Sequence, residues 1–212
     1  MRPSSESGRT RNEPHNAAKL LTFMVFAAGP SSETVVNIAD DLPDGGKALR
    51  CFLSPVDALI DAYFERSGQH REVKAVAAMR RDAFNGIDSK QVTTCVHLAW
   101  EGKDGHTALR SNGRPIAHAQ LIRQRVSHGI IEFEPMAETL EVFDQMYQRA
   151  GLFAWRETLA DIRRWDQARM DETVRHALRT MPAGKHETTG DRQLMLFDPE
   201  FRQWHFVPFS AT

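Results

Sequence analysis

The N-terminal part of the chain alternates short apolar runs with turn-forming clusters, a pattern typical of β-strands. Residues 20–26 form an apolar run that predicts a first strand, and the β-branched residues 34–38 predict a second strand antiparallel to it. Residues 48–53 predict a third strand. Residues 1–18 lack apolar periodicity and are rich in Ser, Arg, Pro and Asn, so we expect a disordered tail there.

A helix is predicted directly after the third strand. Ser54 can accept a hydrogen bond from the first turn, and Asp57 favours the positive end of the helix dipole. Apolar residues then recur at helical spacing over residues 56–64. A second helix is predicted over residues 71–84, so that the two helices would form a pair.

The middle of the chain predicts a β-hairpin followed by an ambiguous segment. Residues 91–100 alternate apolar and polar side chains, which predicts a strand, and residues 106–110 are its predicted hairpin partner. Residues 115–127 have a helix-forming composition that favours a helix, with a strand as the alternative. Residues 129–134 predict a short strand.

The C-terminal part is predicted to be helical and then to close with strands. A helical pattern begins at residue 136 and is interrupted by Gly151. A continuous apolar stripe over residues 152–181 predicts one long helix. Residues 194–197 and 204–207 flank a turn cluster and predict a hairpin.

These elements predict an α+β fold: a mostly antiparallel sheet with a helix pair, a long C-terminal helical segment and a closing β-hairpin. We expect residues 19–135 to form an α+β core on which the helical segment 136–181 packs. The loop and hairpin of residues 182–212 would complete the same domain.

Composition narrows the class of protein. The 27 Lys and Arg residues balance 28 Asp and Glu residues for a net charge of −1, which excludes a polycation. The longest apolar stretch, residues 20–28, is shorter than the about 18 residues that cross a membrane. No apolar leader precedes residue 20 and the chain has only two cysteines, so we expect a cytoplasmic protein of bacterial type with no membrane partner.

Strong catalytic motifs are absent from the sequence. It contains no Gly-rich phosphate loop, no nucleophile elbow and no pair of Cys-x-x-Cys motifs. We therefore expect no cofactor, apart from the zinc ion considered next.

Cys95, His97 and His106 are the residues best suited to chemistry. Cys95 and His97 lie two apart on one predicted strand, so their side chains would project from the same face. If the hairpin pairs Ala99 with His106, the second imidazole joins them, and Arg110 lies opposite Cys95. The cluster predicts either a zinc or other metal site, or a catalytic cysteine with a histidine base. The alternative is a sheet face of ordinary polar residues.

A second candidate site is an arginine-rich segment, residues 105–131, which contains no acidic residue. Its arginines could bind a phosphate backbone, a small anion or an acidic protein surface. These residues are Arg110, Arg114, Arg123 and Arg125. The segment has no aromatic residue to stack on bases, which weakens the case for single-strand recognition. The alternative is internal pairing with the acidic helix that follows.

The function predicted from these patterns is that of an accessory or regulatory protein that binds a macromolecular partner. The partner would be another protein, a second copy of the chain or a nucleic acid. The predicted protein contact lies on the helix of residues 152–181 or on the hairpin of residues 194–209. The alternative is a hydrolase or nuclease that uses the Cys95, His97 and His106 cluster, with or without a metal ion.

Overall fold

The computed structural model describes residues 22–28, 35–37, 39–42, 46–65, 71–76, 79–80, 91–127, 130–131, 137–185 and 191–209. The predicted tail at residues 1–18 lies outside these residues. The strands are β1 (Thr22–Ala28), β2 (Val35–Asn37), β3 (Ala39–Asp41), β4 (Lys47–Phe52), β5 (Arg71–Val76), β6 (Met79–Arg80), β7 (Gln91–Lys103), β8 (His106–Ala108), β9 (Ala117–Ser127), β10 (Ile130–Ile131), β11 (Gly184–Lys185), β12 (Arg192–Asp198) and β13 (Gln203–Pro208). The helices are α1 (Pro55–Phe64), α2 (Ala137–Arg149), α3 (Trp155–Ile162) and α4 (Gln167–Thr180).

The α+β class is confirmed, and the sheet is mixed. The long strand β7 lies at its centre, parallel to β4 and antiparallel to β9. Its C-terminal half also pairs antiparallel with β8 and β12. The parallel pair arises because the chain leaves β4, crosses over through α1 and returns in the same direction. The sequence predicts a mostly antiparallel sheet, and within the described strands the parallel pairs are β4 with β7 and β8 with β11.

The N-terminal strands follow the prediction, but the helix pair does not form. β1 and β2 pair antiparallel, as predicted. Residues 71–76, predicted as part of a second helix, form β5 and pair with β1 from Thr22↔Val76 to Ala27↔Arg71. The segment is too short for its apolar spacing to separate a helix from a strand. The backbone N–H and C=O groups of β1 can form hydrogen bonds with residues 71–76, and this pairing favours a strand for that segment.

The helix favoured for residues 115–127 is also wrong, because this segment forms β9. It pairs with β7 along its length, from Trp100↔Ala117 to Gln91↔Arg125. β7 offers a row of backbone donors and acceptors that must be satisfied once buried. The need to satisfy these groups outweighs the helix propensity of residues 117–127, because the propensity of each residue is weak.

A bulge in β7 changes which side chains share a face. The register shifts between His97 and Ala99, so Leu98 is an extra residue in the ladder. The shift reverses the alternation, and the ring of His97 lies 4.5 Å from the ring of Trp100. The regular alternation predicted for residues 91–100 is therefore interrupted at Leu98.

The single long helix predicted over residues 152–181 is divided into α3 and α4. The Asp166 carboxylate accepts a hydrogen bond from the Arg169 backbone N–H at 2.8 Å and so starts a new helix. One hydrophobic cluster joins these helices to the sheet. It includes Trp155 and Ile162 of α3 together with Trp100 of β7. No helix in the described part of the chain is both long and apolar enough to cross a membrane.

The closing hairpin forms as predicted. β12 pairs with β13 from Gln193↔Pro208 to Asp198↔Gln203. On its other side β12 pairs with β7, with Met195 opposite Trp100. The hairpin thus extends the sheet, and its turn at residues 199–202 projects toward the helices.

The start of α1 is a testable feature of the fold. Ser54 Oγ accepts the Asp57 backbone N–H at 3.3 Å, as the sequence predicts. Ser54→Ala removes this cap, and we expect the free energy of unfolding to fall by about 1 kcal/mol in urea denaturation. Ser111→Ala, in an exposed turn, is the matched control and should leave the midpoint unchanged. Equal midpoints for both variants would contradict the assignment of Ser54 as the cap.

Candidate functional site

The structure does not form the Cys95, His97 and His106 cluster that the sequence predicts. β8 pairs His106 with Lys103, not with Ala99, so His106 lies opposite a residue of β7 that is six positions after His97. Its Nδ1 lies 2.8 Å from the Asp104 carbonyl oxygen. Within the described residues, which include all three, no group of three His, Cys, Asp or Glu side chains could hold a metal ion.

His97 is part of the core. It is 4% exposed, and its ring lies 5.2 Å from that of Phe52 and 4.5 Å from that of Trp100. Its Nε2 makes no hydrogen bond to any of the described residues. Burial, followed by the nearby charges of Arg50 and His118, lowers the pKa of His97 to about 3. The imidazole is therefore neutral at physiological pH and packs as an aromatic ring.

The predicted anion-binding arginines do not form one patch. Arg110 and Arg114 close the turn before β9, since the Arg110 N–H donates to the Arg114 carbonyl oxygen at 2.8 Å. Arg123 is exposed and lies opposite Thr93. It is about 20 Å from Ala117, the first residue of β9, at the usual rise of a strand. Arg125 lies opposite Gln91, farther still along the same strand.

Arg114 pairs with carboxylates of α1 together with Arg50 of β4. Arg50 Nη1 lies 2.7 Å from Asp61 Oδ2 and 3.0 Å from Glu65 Oε1. Arg114 contacts the same two carboxylates. Burial raises the pKa of Asp61, against the opposing effect of Arg50, whereas the two arginines together outweigh burial and lower the pKa of Glu65. The pairing is internal, but the acidic helix is α1 and not the helix that follows the arginines.

The best candidate for a binding site is a cavity that the sequence did not predict. It lies between the segment from Gly151 to Thr158 and the turn of the C-terminal hairpin, and its volume is about 120 Å³. Ser54 and Tyr147 belong to its lining, beside the core. A cavity of about this size accommodates a single side chain or a small ring.

Two exposed aromatic side chains stand in the walls of this cavity. Phe153 is 77% exposed and Phe201 is 72% exposed, the highest values among the large apolar side chains that the structure describes. Phe153 precedes α3, and Phe201 lies in the turn between β12 and β13. Trp155 also lines the cavity, as a buried ring packed against Tyr147 at 5.1 Å. Aromatic side chains of both segments therefore line the cavity.

The charged side chains in the lining are acidic. Asp198 and Glu200 belong to it, and none of the described residues that line the cavity is an arginine, lysine or histidine. Asp198 is only 5% exposed, and its Oδ1 accepts the backbone N–H groups of Glu200 and Phe201 at 2.9 and 3.2 Å. These bonds to Oδ1 stabilise the turn that carries Phe201.

Asp57 lies behind the cavity. Its Oδ1 accepts the indole N–H of Trp100 at 3.1 Å. Burial raises the pKa of Asp57 to about 6, although the hydrogen bonds from Trp100 and Ser54 oppose the rise. Burial also raises the pKa of Tyr147, and the negative charges of Asp57 and Asp198 add to that effect. The end of the cavity at Tyr147 therefore lies near two carboxyl groups, those of Asp57 and Asp198.

Sequence reasoning missed this site because its residues come from distant segments. The one usable signal was the aromatic C-terminal hairpin, which the sequence marked as a possible contact for a partner. Nothing in the sequence placed Phe153 beside that hairpin. Comparisons of the chain with known protein families, with curated protein sequences and with solved structures gave no significant match, so the assignment of a function depends on the geometry of the chain itself.

Proposed function

We propose that this chain is a cytoplasmic accessory or regulatory protein that binds a macromolecular partner at the cavity between α3 and the C-terminal hairpin. The observation that carries the proposal is the exposure of Phe153 and Phe201, at 77% and 72%, in the walls of the same cavity. Exposed large apolar groups that are close together are typical of interaction sites.

The energetics favour this interpretation. Burying one phenylalanine side chain contributes about 1.5–3 kcal/mol through removal of apolar surface from water. Aromatic anchors beside a pocket that receives a partner's side chain are the usual location of binding hot spots. Phe153 and Phe201 would supply such anchors, and Trp155 would form the wall against which the inserted group packs.

The size of the cavity supports a macromolecule over a free metabolite. About 120 Å³ accommodates one side chain, whereas sites for small ligands are commonly about 300–1,000 Å³. A partner protein would fill the cavity with one side chain and cover the two phenylalanines with the surface around it. The hydrolase or nuclease alternative has no comparable support, since β8 pairs His106 with Lys103, away from His97.

The proposal is tested by removing the two exposed rings. We expect Phe153→Ala with Phe201→Ala to reduce recovery of a specific partner at least tenfold, because each ring contributes about 1 kcal/mol or more to a well-packed contact. The tagged full chain is used to capture partners from the organism that encodes it, and quantitative mass spectrometry measures their amounts. The free energy of unfolding should be nearly unchanged, because both rings are exposed.

The matched control is Leu121→Ala, which removes another apolar side chain, 54% exposed, on β9. It should leave partner recovery at the wild-type level. Equal recovery with the double variant would overturn the proposed site. A chain that is a strict monomer by light scattering, and that captures no partner above control, would overturn the binding function itself.

A further inference from the structure

We infer that the group inserted into this cavity is the positively charged side chain of a basic segment on the partner, an arginine or a lysine. The inference rests on the proposed function, because it names the chemistry of the occupant at the same site. Its basis is the combination of an aromatic wall with a buried carboxylate and the acidic character of the charged lining.

Asp198 provides the principal charge. It is 5% exposed, and within the described part of the chain no hydrogen bond reaches its Oδ2. The His205 Nε2 atom lies 3.8 Å from Oδ2, beyond hydrogen-bond distance. An ionised carboxylate can accept several hydrogen bonds, so Asp198 can receive a further donor from a ligand, and a charged donor makes the stronger bond.

The aromatic walls suit the same ligand. The faces of aromatic rings attract guanidinium and ammonium groups within about 6 Å of the ring centre, and the attraction is stronger where water is excluded. Trp155 already accepts one such contact outside the cavity, where the Arg156 guanidinium carbon lies 4.7 Å from its ring centre. That guanidinium is itself paired with Asp144 at 2.8 Å.

Electrostatic complementarity excludes an acidic occupant. Glu200 adds a second carboxylate to the lining, and its Oε2 lies 3.4 Å from the Thr158 hydroxyl. Asp57 is a further carboxylate near the lining, since it is hydrogen-bonded to Ser54 and raises the pKa of Tyr147. An anionic side chain would meet like charges, whereas a cation would reduce the repulsion among them.

A partner's side chain fits better than a free amine. The cavity is small, and the rings of Phe153 and Phe201 extend beyond it into solvent. A free amine would leave both rings exposed, whereas a basic segment would bring backbone and neighbouring side chains against them. The occupant is therefore part of a larger surface.

The test uses three small probes of similar length: n-butylguanidinium, n-butylammonium and neutral n-pentanol. Binding to the full chain is followed by NMR, through the backbone amides of Glu200 and Phe201 that donate to Asp198. We expect both cations to shift these amides at millimolar concentration, with affinities that weaken as salt is added. Pentanol should bind at least tenfold more weakly.

Asp198→Asn is the decisive variant. Its side-chain carbonyl can still accept both amide N–H groups, so the turn is retained while the charge is lost. We expect the dissociation constants of both cations to rise at least tenfold, with that of pentanol unchanged. Asp171→Asn removes the same charge from an exposed site on α4 and should leave all three dissociation constants as in the wild type.

The outcomes separate the two proposals. If pentanol binds as tightly as the cations, or if Asp198→Asn leaves cation affinity unchanged, the inference of a cationic occupant is overturned while docking at the cavity stands. If no probe shifts these amides and the double phenylalanine variant also retains its partner, both proposals fail. Loss of partner recovery with Asp198→Asn, together with the loss of cation binding, supports both.

Discussion

A His97→Leu variant is expected to resist acid better than the wild-type protein, by about 3 kcal/mol of unfolding free energy at pH 4. Burial lowers the pKa of His97 in the folded chain to about 3, whereas histidine in an unfolded chain titrates near 6.5. As the pH falls between these values, the unfolded chain binds a proton that the folded chain excludes, so stability is lost. Leucine removes this proton uptake.

At neutral pH the same substitution should be nearly neutral. His97 is then uncharged in both states, and its Nε2 makes no hydrogen bond to the part of the chain that the structure describes. Leucine is of similar size and packs between Phe52 and Trp100 in place of the imidazole. We therefore expect the unfolding free energies of His97→Leu and the wild-type protein to differ at pH 4 but not at pH 7. Urea unfolding at both pH values measures this difference.

The control is Ile60→Val, a buried substitution that contains no titratable group. It should lower the unfolding free energy by about 1 kcal/mol at both pH values. Asp57 acts in the opposite direction, because its raised pKa adds stability that is lost as the pH rises from 3.8 to about 6. Since Asp57 is present in every variant, its effect cancels in the comparison. Equal losses of stability for wild type and His97→Leu would contradict the prediction.

An Arg50→Met variant is expected to lower the free energy of unfolding by about 3 kcal/mol at pH 7. Arg50 is the closest partner of Asp61, which is 4% exposed, at 2.7 Å. Without it, the one ion pair that this buried carboxylate retains among the described residues is the longer contact from Arg114 at 3.3 Å. The variant therefore leaves the Asp61 carboxylate incompletely paired in the interior, and such a charge strongly destabilises the folded state.

Replacing both members of the pair separates the cost of the unpaired charge from the value of the pair. We expect Arg50→Met combined with Asp61→Leu to be more stable than Arg50→Met alone, because no uncompensated buried carboxylate remains and Glu65 keeps its contact with Arg114. Arg202→Met removes an arginine from an exposed ion pair with Glu172 and should change the unfolding midpoint little. A double variant no more stable than the single one would contradict this account.

The candidate site shows how far sequence reasoning reaches. The closing hairpin and its turn were predicted from residues next to each other in the chain, and the hairpin was named as a possible partner contact. The cavity itself requires Phe153, before α3, to stand near Phe201, nearly fifty positions later. No periodicity or motif encodes that distance, because it depends on how α2 and α3 pack against β12.

The predicted cluster of Cys95, His97 and His106 assumed a hairpin register that the structure does not have. The spacing of Cys95 and His97 on one strand was correctly interpreted, but the hairpin register and the bulge at Leu98 were not predictable from it. A shift of one residue moves a side chain to the opposite face of a sheet. His97 therefore joined Phe52 and Trp100 in the core rather than a site beside His106.

By itself, the sequence determined the α+β class and two local features, the cap at Ser54 and the C-terminal hairpin. The cap and the hairpin depend on hydrogen bonds or side-chain alternation within a few residues, so composition and spacing suffice to predict them. The tertiary structure alone decided that residues 71–76 and 117–127 are strands, that Arg114 pairs with α1 and that a cavity forms at Asp198. These features depend on backbone and charged groups that need partners once they are buried, and distant parts of the chain supply those partners.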